Sequence, residues 1–540
     1  MSTDIRRVEG PEVRSGGADW VVTGVSAGML LVFVVGAIAV PDTVGGWVTT
    51  GFTKSAEWFG FYWQLLMLAT FVVALVLAAT PWARARFGDA TPEFGRFKWI
   101  AMIMCTLLAG GGVFWAAAEP MYHFLYAPPY FTDVVPGSDS AAHVALAQSF
   151  VHWGFLAWAI LGSLAAIVMM YAAERGMPLR PRTLLYPVLG SRVVTSPIGT
   201  VADIVCIVAV VAGTVGPIGF LGLQVSYGLS SLFGIPDVYG VQLAVIAVLT
   251  AVAAVSVVSG VNRGIQLLSR VNVWLALALM AAVLVLGSAW YVLQAFVGGF
   301  GVYVTDFVGM SLYRGDPTWV SGWTVFFFGW FLGYAPLMAI FIARISRGRT
   351  VRDLIVSTAV LPPVATCLWF SVLGGTGIML EQRNPGEISG PLNEAGLPAA
   401  VMAIAGDLPL STLVSVGFLL LTIMFVATTT DSMSYAVAQS CTSKDHAGSR
   451  MRALWAVLMG AAAAVLISIG DGGISALQSF IVVTAVPVGL IVLPSVFAAP
   501  VMVYRMAVQQ GLSSWRTPPR SATPASPTKP LTDAQEEAHA

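Results

Sequence analysis

The chain is 540 residues long, 57% hydrophobic and only 10% charged, and its 27 Lys and Arg balance 27 Asp and Glu. Ordinary globular domains carry about 25% charged residues, so a chain of this length cannot cover a water-facing surface, and the composition specifies an integral membrane protein. Zero net charge excludes a basic nucleic-acid binder, and the high hydrophobicity excludes disorder.

In chain order, residues 1–19 are polar, with three arginines and four acids and no apolar core of the kind a cleavable signal needs. They read as a cytoplasmic N-terminal segment. Between Trp20 and Tyr504 the sequence holds apolar runs of the ~20 residues that cross a bilayer as a helix. Twelve transmembrane helices are predicted, over 20–40, 58–79, 99–118, 144–172, 202–232, 240–259, 272–297, 321–343, 354–374, 409–438, 452–469 and 476–504. Several exceed the minimum, which implies tilt, kinks or unwound interiors. Residues 505–540, with prolines at 518, 519, 524, 527 and 530, read as a disordered cytoplasmic tail. With both ends inside, every Lys and Arg except Lys54, Arg314 and Arg383 falls on the inner face, as the positive-inside rule requires. Two outer segments, 298–320 and 375–408, are too long for turns, and the first suits a helix lying along the interface.

Nothing in this layout leaves room for a soluble catalytic or regulatory domain. None of the four lysines (Lys54, Lys98, Lys444, Lys529) follows a glycine, so no phosphate loop is present. The four cysteines are scattered and make neither a disulfide framework nor a metal pair, and no histidine shows metal-ligand spacing. No enzyme chemistry and no cofactor are expected. Transport driven by an ion or counter-substrate gradient fits better.

Four stretches depart from plain lipid-facing wall. LLAGGGVFWAAAEPMYHF, from Leu107, places three glycines inside a span and Glu119-Pro120 at its outer end. It suits either close helix packing by small residues or a discontinuous helix whose freed backbone faces a ligand. FVHWGFLAWAIL carries Trp153 and Trp158, about 140° apart on one helix, with His152 read as a hydrogen-bonded interior residue. WTVFFFGWFLGYAP, from Trp323, sets Trp330 and Tyr334 on one helix face, flanked by Phe327 and Phe331. An aromatic wall without a buried acid suits a quaternary ammonium held by cation–π attraction; plain core packing is the alternative. Its basic end, ARISRGRTVRD, holds Arg344, Arg347, Arg349 and Arg352 near Asp353, as a topology anchor with room for gate salt bridges. FVATTTDSMSYAVA, from Phe425, buries Thr428, Thr429, Thr430 and Asp431 in a span, a set that suits a small hard cation or, equally, threonines bonded back to their own helix.

These segments resemble the betaine/carnitine/choline transporter (BCCT) family. GWFLGYAPLMAIFIARISRGRTVRDLI, from Gly329, is similar to that family's eighth-span signature, CLWFSVLGG (367–375) to its ninth, FWAAAEP (114–120) to its third, and TTTDS (428–432) to its tenth-span T-S-A-D-S. The similarity runs collinearly over about 20–504. It implies twelve helices in a LeuT-like 5+5 inverted repeat (spans 3–7 and 8–12) behind two peripheral N-terminal helices, alternating access, and a homotrimer. It places a quaternary-ammonium site on Trp153, Trp158, Trp330, Phe331 and Tyr334. Sodium coordination maps onto Phe425, Thr428 and Thr429, with span-3 carbonyls near Cys105 and Leu108. Leu161, Phe331 and Tyr334 stand where the family often has other aromatics, the usual Gly-x-Gly falls on 107–109, and Pro217 interrupts span 5. The function implied is sodium-coupled import of a betaine-, choline- or carnitine-like solute across the cell (plasma or inner) membrane, without strong osmotic activation. A sodium-independent exchanger is the alternative, and a membrane substrate sensor the alternative from another class.

Overall fold

A computed structural model describes residues 19–108, 111–259, 262–442, 447–469 and 474–512, with side chains at 105–108, 259 and 262–269 left out. The N-terminal segment before Asp19 and the tail beyond Leu512 therefore lie outside the described residues. The described chain is helical almost throughout. Its helices are α1 (Trp20–Ala39), α2 (Pro41–Ala79), α3 (Arg96–Leu108), α4 (Gly112–Leu125), α5 (Asp139–Trp153), α6 (Phe155–Gly162), α7 (Leu164–Ala173), α8 (Pro197–Phe233), α9 (Tyr239–Ser259), α10 (Asn262–Leu286), α11 (Ala289–Thr305), α12 (Phe326–Ile345), α13 (Val351–Ala359), α14 (Leu361–Arg383), α15 (Ser411–Ser440), α16 (Ser449–Leu466), α17 (Ile474–Val492) and α18 (Pro494–Gln509), with short helical turns between some of them.

Among the described residues ten helices or continuous helix runs are long and apolar enough to cross a membrane, and an eleventh joins them if α10 and α11 count as one span. The predicted third span is not among them because it is cut in two. Gly111 separates α3 from α4 at φ 147°, a conformation open to glycine and costly to other residues. The predicted seventh span, 272–297, is corrected. Its chain turns through 101° between Leu286 and Ala289, where Ser288 caps the new helix by accepting from the Tyr291 amide at 3.3 Å. The segment read as an outer loop with an interfacial helix thus starts earlier, as α11. The helix that carries the predicted second span, 58–79, begins well before it, at Pro41. Threonines, Lys54 and Glu57 depress hydropathy there without opposing a helix, and Lys54 pairs with Glu57 one turn on.

Packing places α8 at the centre, against α15, α16 and α17, while α12 lies on α6, α7 and α17. Several pairings recur in exchanged form. Helix α4 packs on α14 as α12 packs on α6; α8 packs on α17 as α15 packs on α10; α8 packs on α16 as α15 packs on α9.

Connections meet in two groups at opposite ends. The 81–96 connection docks on the start of α13, with Gly348 donating to Phe87 O (2.7 Å), Val351 to Ala85 O (2.9 Å), and Arg352 to Ala78 O and Thr80 O, both 2.8 Å. Arg349 donates to Phe94 O and stacks 4.6 Å over Trp99. The predicted gate cations thus hold carbonyls and a ring, while Arg344 and Arg347 are exposed. At this end too, Arg180 binds Asp19 (3.0 Å) and Ser440 O (3.0 Å), and Arg182 binds Asp203 (2.7 Å). At the other end Tyr313 donates to Pro129 O (3.2 Å), Gln64 to Ser311 O (2.9 Å) and Gln382 to Asp139 (2.9 Å).

Candidate functional site

The aromatic residues singled out in the sequence converge where α5, α8 and α12 meet the break between α3 and α4. Trp153, the last residue of α5, is the hub. Its ring lies 5.8 Å from Trp330 and 5.3 Å from Phe331, both edge-to-face, and 5.4 and 5.2 Å from Phe327 and Phe370. Trp330 donates its indole N–H to Gly213 O at 3.0 Å, and Tyr334 meets Thr214 at 3.1 Å. Both anchors come from GTVG in α8, just before Pro217. Gly111 closes the group from the other side, since a Cβ there would stand 3.0 Å from the edge of Trp330.

Trp158 is placed apart. The helix breaks at Gly154, so the 140° estimate for one continuous helix does not apply. A Cβ at Gly154 would lie 2.4 Å from Phe150 O, and the amide freed at Phe155 donates to the Tyr303 hydroxyl at 2.9 Å. Trp158 then turns toward α14 and donates to Thr366 at 3.0 Å. Among the described ring contacts it meets none of the other four aromatics.

A cation held between two rings needs each centroid within about 6 Å of it, yet Trp153, Trp330 and Phe331 already stand 5.3–6.0 Å from one another and are buried. The rings fill the space themselves, so a bound trimethylammonium requires them to part.

The expectation of an aromatic wall with no buried acid is overturned. Helix α4 runs through Glu119 and Pro120 to Leu125, so Glu119 is an interior residue with no exposed surface. One carboxylate oxygen accepts the Trp153 indole N–H at 2.9 Å, and the other lies 2.5 Å from His152 Nδ1. His152 Nε2 meets Gln148 Nε2 (3.1 Å) and Thr324 (3.0 Å), the latter in a π-helical turn, 321–325, ahead of α12. His123, one turn on from Glu119, lies 3.5 Å from it under Trp323. The reading that no histidine has metal-ligand spacing is corrected as well, because Glu119, His123 and His152 bring ligand-type atoms within 4.8 Å. The 2.5 Å contact is a direct hydrogen bond between the imidazole and the carboxyl group, shorter than two ligands of one metal ion stand apart.

On α15, Thr428 bonds back to Met424 O at 2.8 Å, and also accepts from Asn272 of α10 at 3.3 Å. Phe425 O lies 3.3 Å from the same hydroxyl, and Thr429 is buried beside it. Cys105 and Leu108 end α3, where side chains fall outside the described residues, so only the α15 half of the expected cation site is described. Asp431 is paired, 3.0 Å from Arg452 of α16.

The comparisons with known proteins agree with this architecture. The family profile described as "BCCT, betaine/carnitine/choline family transporter" matches residues 21–508. Glycine betaine transporter 2 of Vibrio parahaemolyticus is 49% identical over 489 residues, covering 90% of each chain. Glycine betaine transporter OpuD of Bacillus subtilis is 32% identical, covering 88% of this chain and 91% of its own. An ectoine/hydroxyectoine transporter of Virgibacillus pantothenticus is 31% identical, over 87% and 93%.

Proposed function

The chain belongs to the betaine/carnitine/choline transporter family, a family of multi-pass membrane transporters rather than enzymes, and from that premise we propose that it imports glycine betaine or a near analogue together with sodium. The trimethylammonium sits among Trp153, Trp330, Phe331 and Tyr334, with Trp158 carried toward them by movement at Gly154. The substrate carboxylate meets backbone freed at the break beside Gly111. Sodium is held by Phe425 O, Thr428 and Thr429, with carbonyls of the Cys105–Leu108 turn. The observation that carries the substrate reading is the convergence of Trp153, Trp330 and Phe331 from helices far apart in sequence, in a chain 49% identical to a glycine betaine transporter.

The same proposal takes the chain across the membrane twelve times, with α3 and α4 as one broken span, both termini inside, and spans 3–7 related to spans 8–12 by an inverted repeat. The exchanged helix pairings support the repeat. The grouping of connections supports the crossing number, since those following an even number of predicted spans meet at one end. A trimer is part of the proposal on family resemblance alone.

Uptake of radiolabelled glycine betaine into proteoliposomes tests the central reading. An inward sodium gradient should drive accumulation, and replacing sodium by potassium should abolish it. Counterflow that persists without sodium would identify an exchanger and end the sodium proposal.

A further inference from the structure

The Glu119 carboxyl group is fully buried between His152 and Trp153. Its protonation follows from its neighbours. With the Gln148 amide nitrogen donating and the Thr324 hydroxyl turned to donate as well, His152 Nε2 accepts, which puts the imidazole proton on Nδ1, facing Glu119. The Trp153 N–H occupies the second oxygen. Both oxygens therefore accept, as an ionised carboxylate does. Among the described residues no Lys or Arg pairs with it, and His123, the other basic group nearby, finds no hydrogen-bond partner for either ring nitrogen. A buried anion is costly unless something compensates it. The groups around it are two neutral donors and, one indole further on, the aromatic cluster.

We propose that Glu119 is the positioning residue and counter-charge of the ammonium site: it holds Trp153 by its indole N–H and selects a positively charged headgroup over a neutral one of the same shape. This deepens the aromatic-site reading and rests on it. The carboxylate acts in two ways. It fixes the orientation of the ring against which Trp330 and Phe331 pack, and it adds negative potential at the N–H edge of that ring. In a site closed to water that potential is weakly screened, so it discriminates by charge, which the shape of an aromatic cluster alone does less sharply. Thr324 and Gln148 contribute by setting the His152 tautomer. The arrangement draws on four segments (α4, α5, the 321–325 turn and α12), so a shift of α12 against α5 reaches the carboxylate directly.

The test compares glycine betaine with 3,3-dimethylbutanoate, its carbon isostere, which keeps the carboxylate and replaces the trimethylammonium by a neutral tert-butyl group. Binding of each is measured calorimetrically on the full chain in nanodiscs, alongside uptake kinetics. Glu119→Gln keeps an acceptor for Trp153 and removes the charge. It should lower the betaine-to-isostere affinity ratio about tenfold, raising the KM for betaine while kcat stays within about threefold. Glu119→Asp keeps the charge and shortens the reach. It should weaken both ligands together and leave the ratio near wild type. Either variant decides alone if the other fails to fold. A wild-type ratio in E119Q, or a collapsed ratio in E119D, overturns the proposal. Trp330→Ala serves as the control for the underlying reading: if it also leaves betaine affinity unchanged, the aromatic site itself is wrong, whereas loss in W330A with none in E119Q removes only the role of Glu119.

Discussion

Trp330 shows how far a single side chain can be argued. Its indole is fixed by Gly213 O, its face lies against Phe326 at 5.6 Å, and its edge meets Trp153. Removing the ring removes one cation–π partner, so W330A should weaken glycine betaine binding by about 1–2 kcal/mol, or ~5- to 30-fold, read by calorimetry on the purified protein. Arg452 gives a contrasting prediction. Its partner Asp431 is buried, so R452A strands a carboxylate and should cost about 3–5 kcal/mol of stability, seen as a lowered Tm, whereas R452A with D431N should recover much of it. Trp330, Phe331 and Tyr334 were legible in the sequence because helical spacing alone puts them on one side. Glu119 was not, because the hydropathy run ended at Ala118 and made it an outer-rim residue. The signal was present in the spacing: Glu119 and His123 stand four apart and share a helix face.

Breaks in helices position the site as much as the helices do. Hydropathy reads a broken span as continuous, since apolar residues run straight through Gly154 and Ser163. For the same reason it runs Trp153 and Trp158 together on one helix, when the chain divides them. Gly154 is the tightest of these breaks, with no space for a Cβ beside Phe150 O and the Tyr303 hydroxyl. G154A should therefore displace Trp153 without touching a ring of the ammonium site, lowering stability by about 1–3 kcal/mol and weakening betaine binding severalfold. Tyr303→Phe separates the two effects. It removes the acceptor for the Phe155 amide, an unsatisfied buried donor worth about 1–3 kcal/mol, and leaves the space intact. Its Tm should fall as in G154A while its betaine affinity stays closer to wild type. Equal losses of affinity in both variants would show that the hydrogen bond, not the close approach, sets the position of Trp153.

At the scale of the whole molecule, the charge pattern of the sequence becomes a fastening. The cations expected on one face are not all spread over its surface. Arg180 joins the start of α1, the connection after α7 and the end of α15 through Asp19 and Ser440 O, and the Asp19 amide donates to Cys441 O at 2.8 Å. In a transport cycle that alternates between the two faces such a tie is expected to loosen, and Cys441, buried beneath it, would report that event. Removing the Arg180 guanidinium takes away charge-assisted bonds worth about 2 kcal/mol in all, which is ~30-fold in the local opening equilibrium. In R180A, maleimide should therefore label Cys441 about 30-fold faster than in wild type, measured by mass spectrometry of the Cys441 peptide. Cys367, buried against α4 and α5 far from this tie, should keep its rate. Glycine betaine with sodium should accelerate Cys441 labelling in wild type and change it little in R180A, where the tie is already broken. Labelling that stays slow in R180A, or a wild-type rate indifferent to substrate, would make the network a static brace rather than a part of the transport cycle.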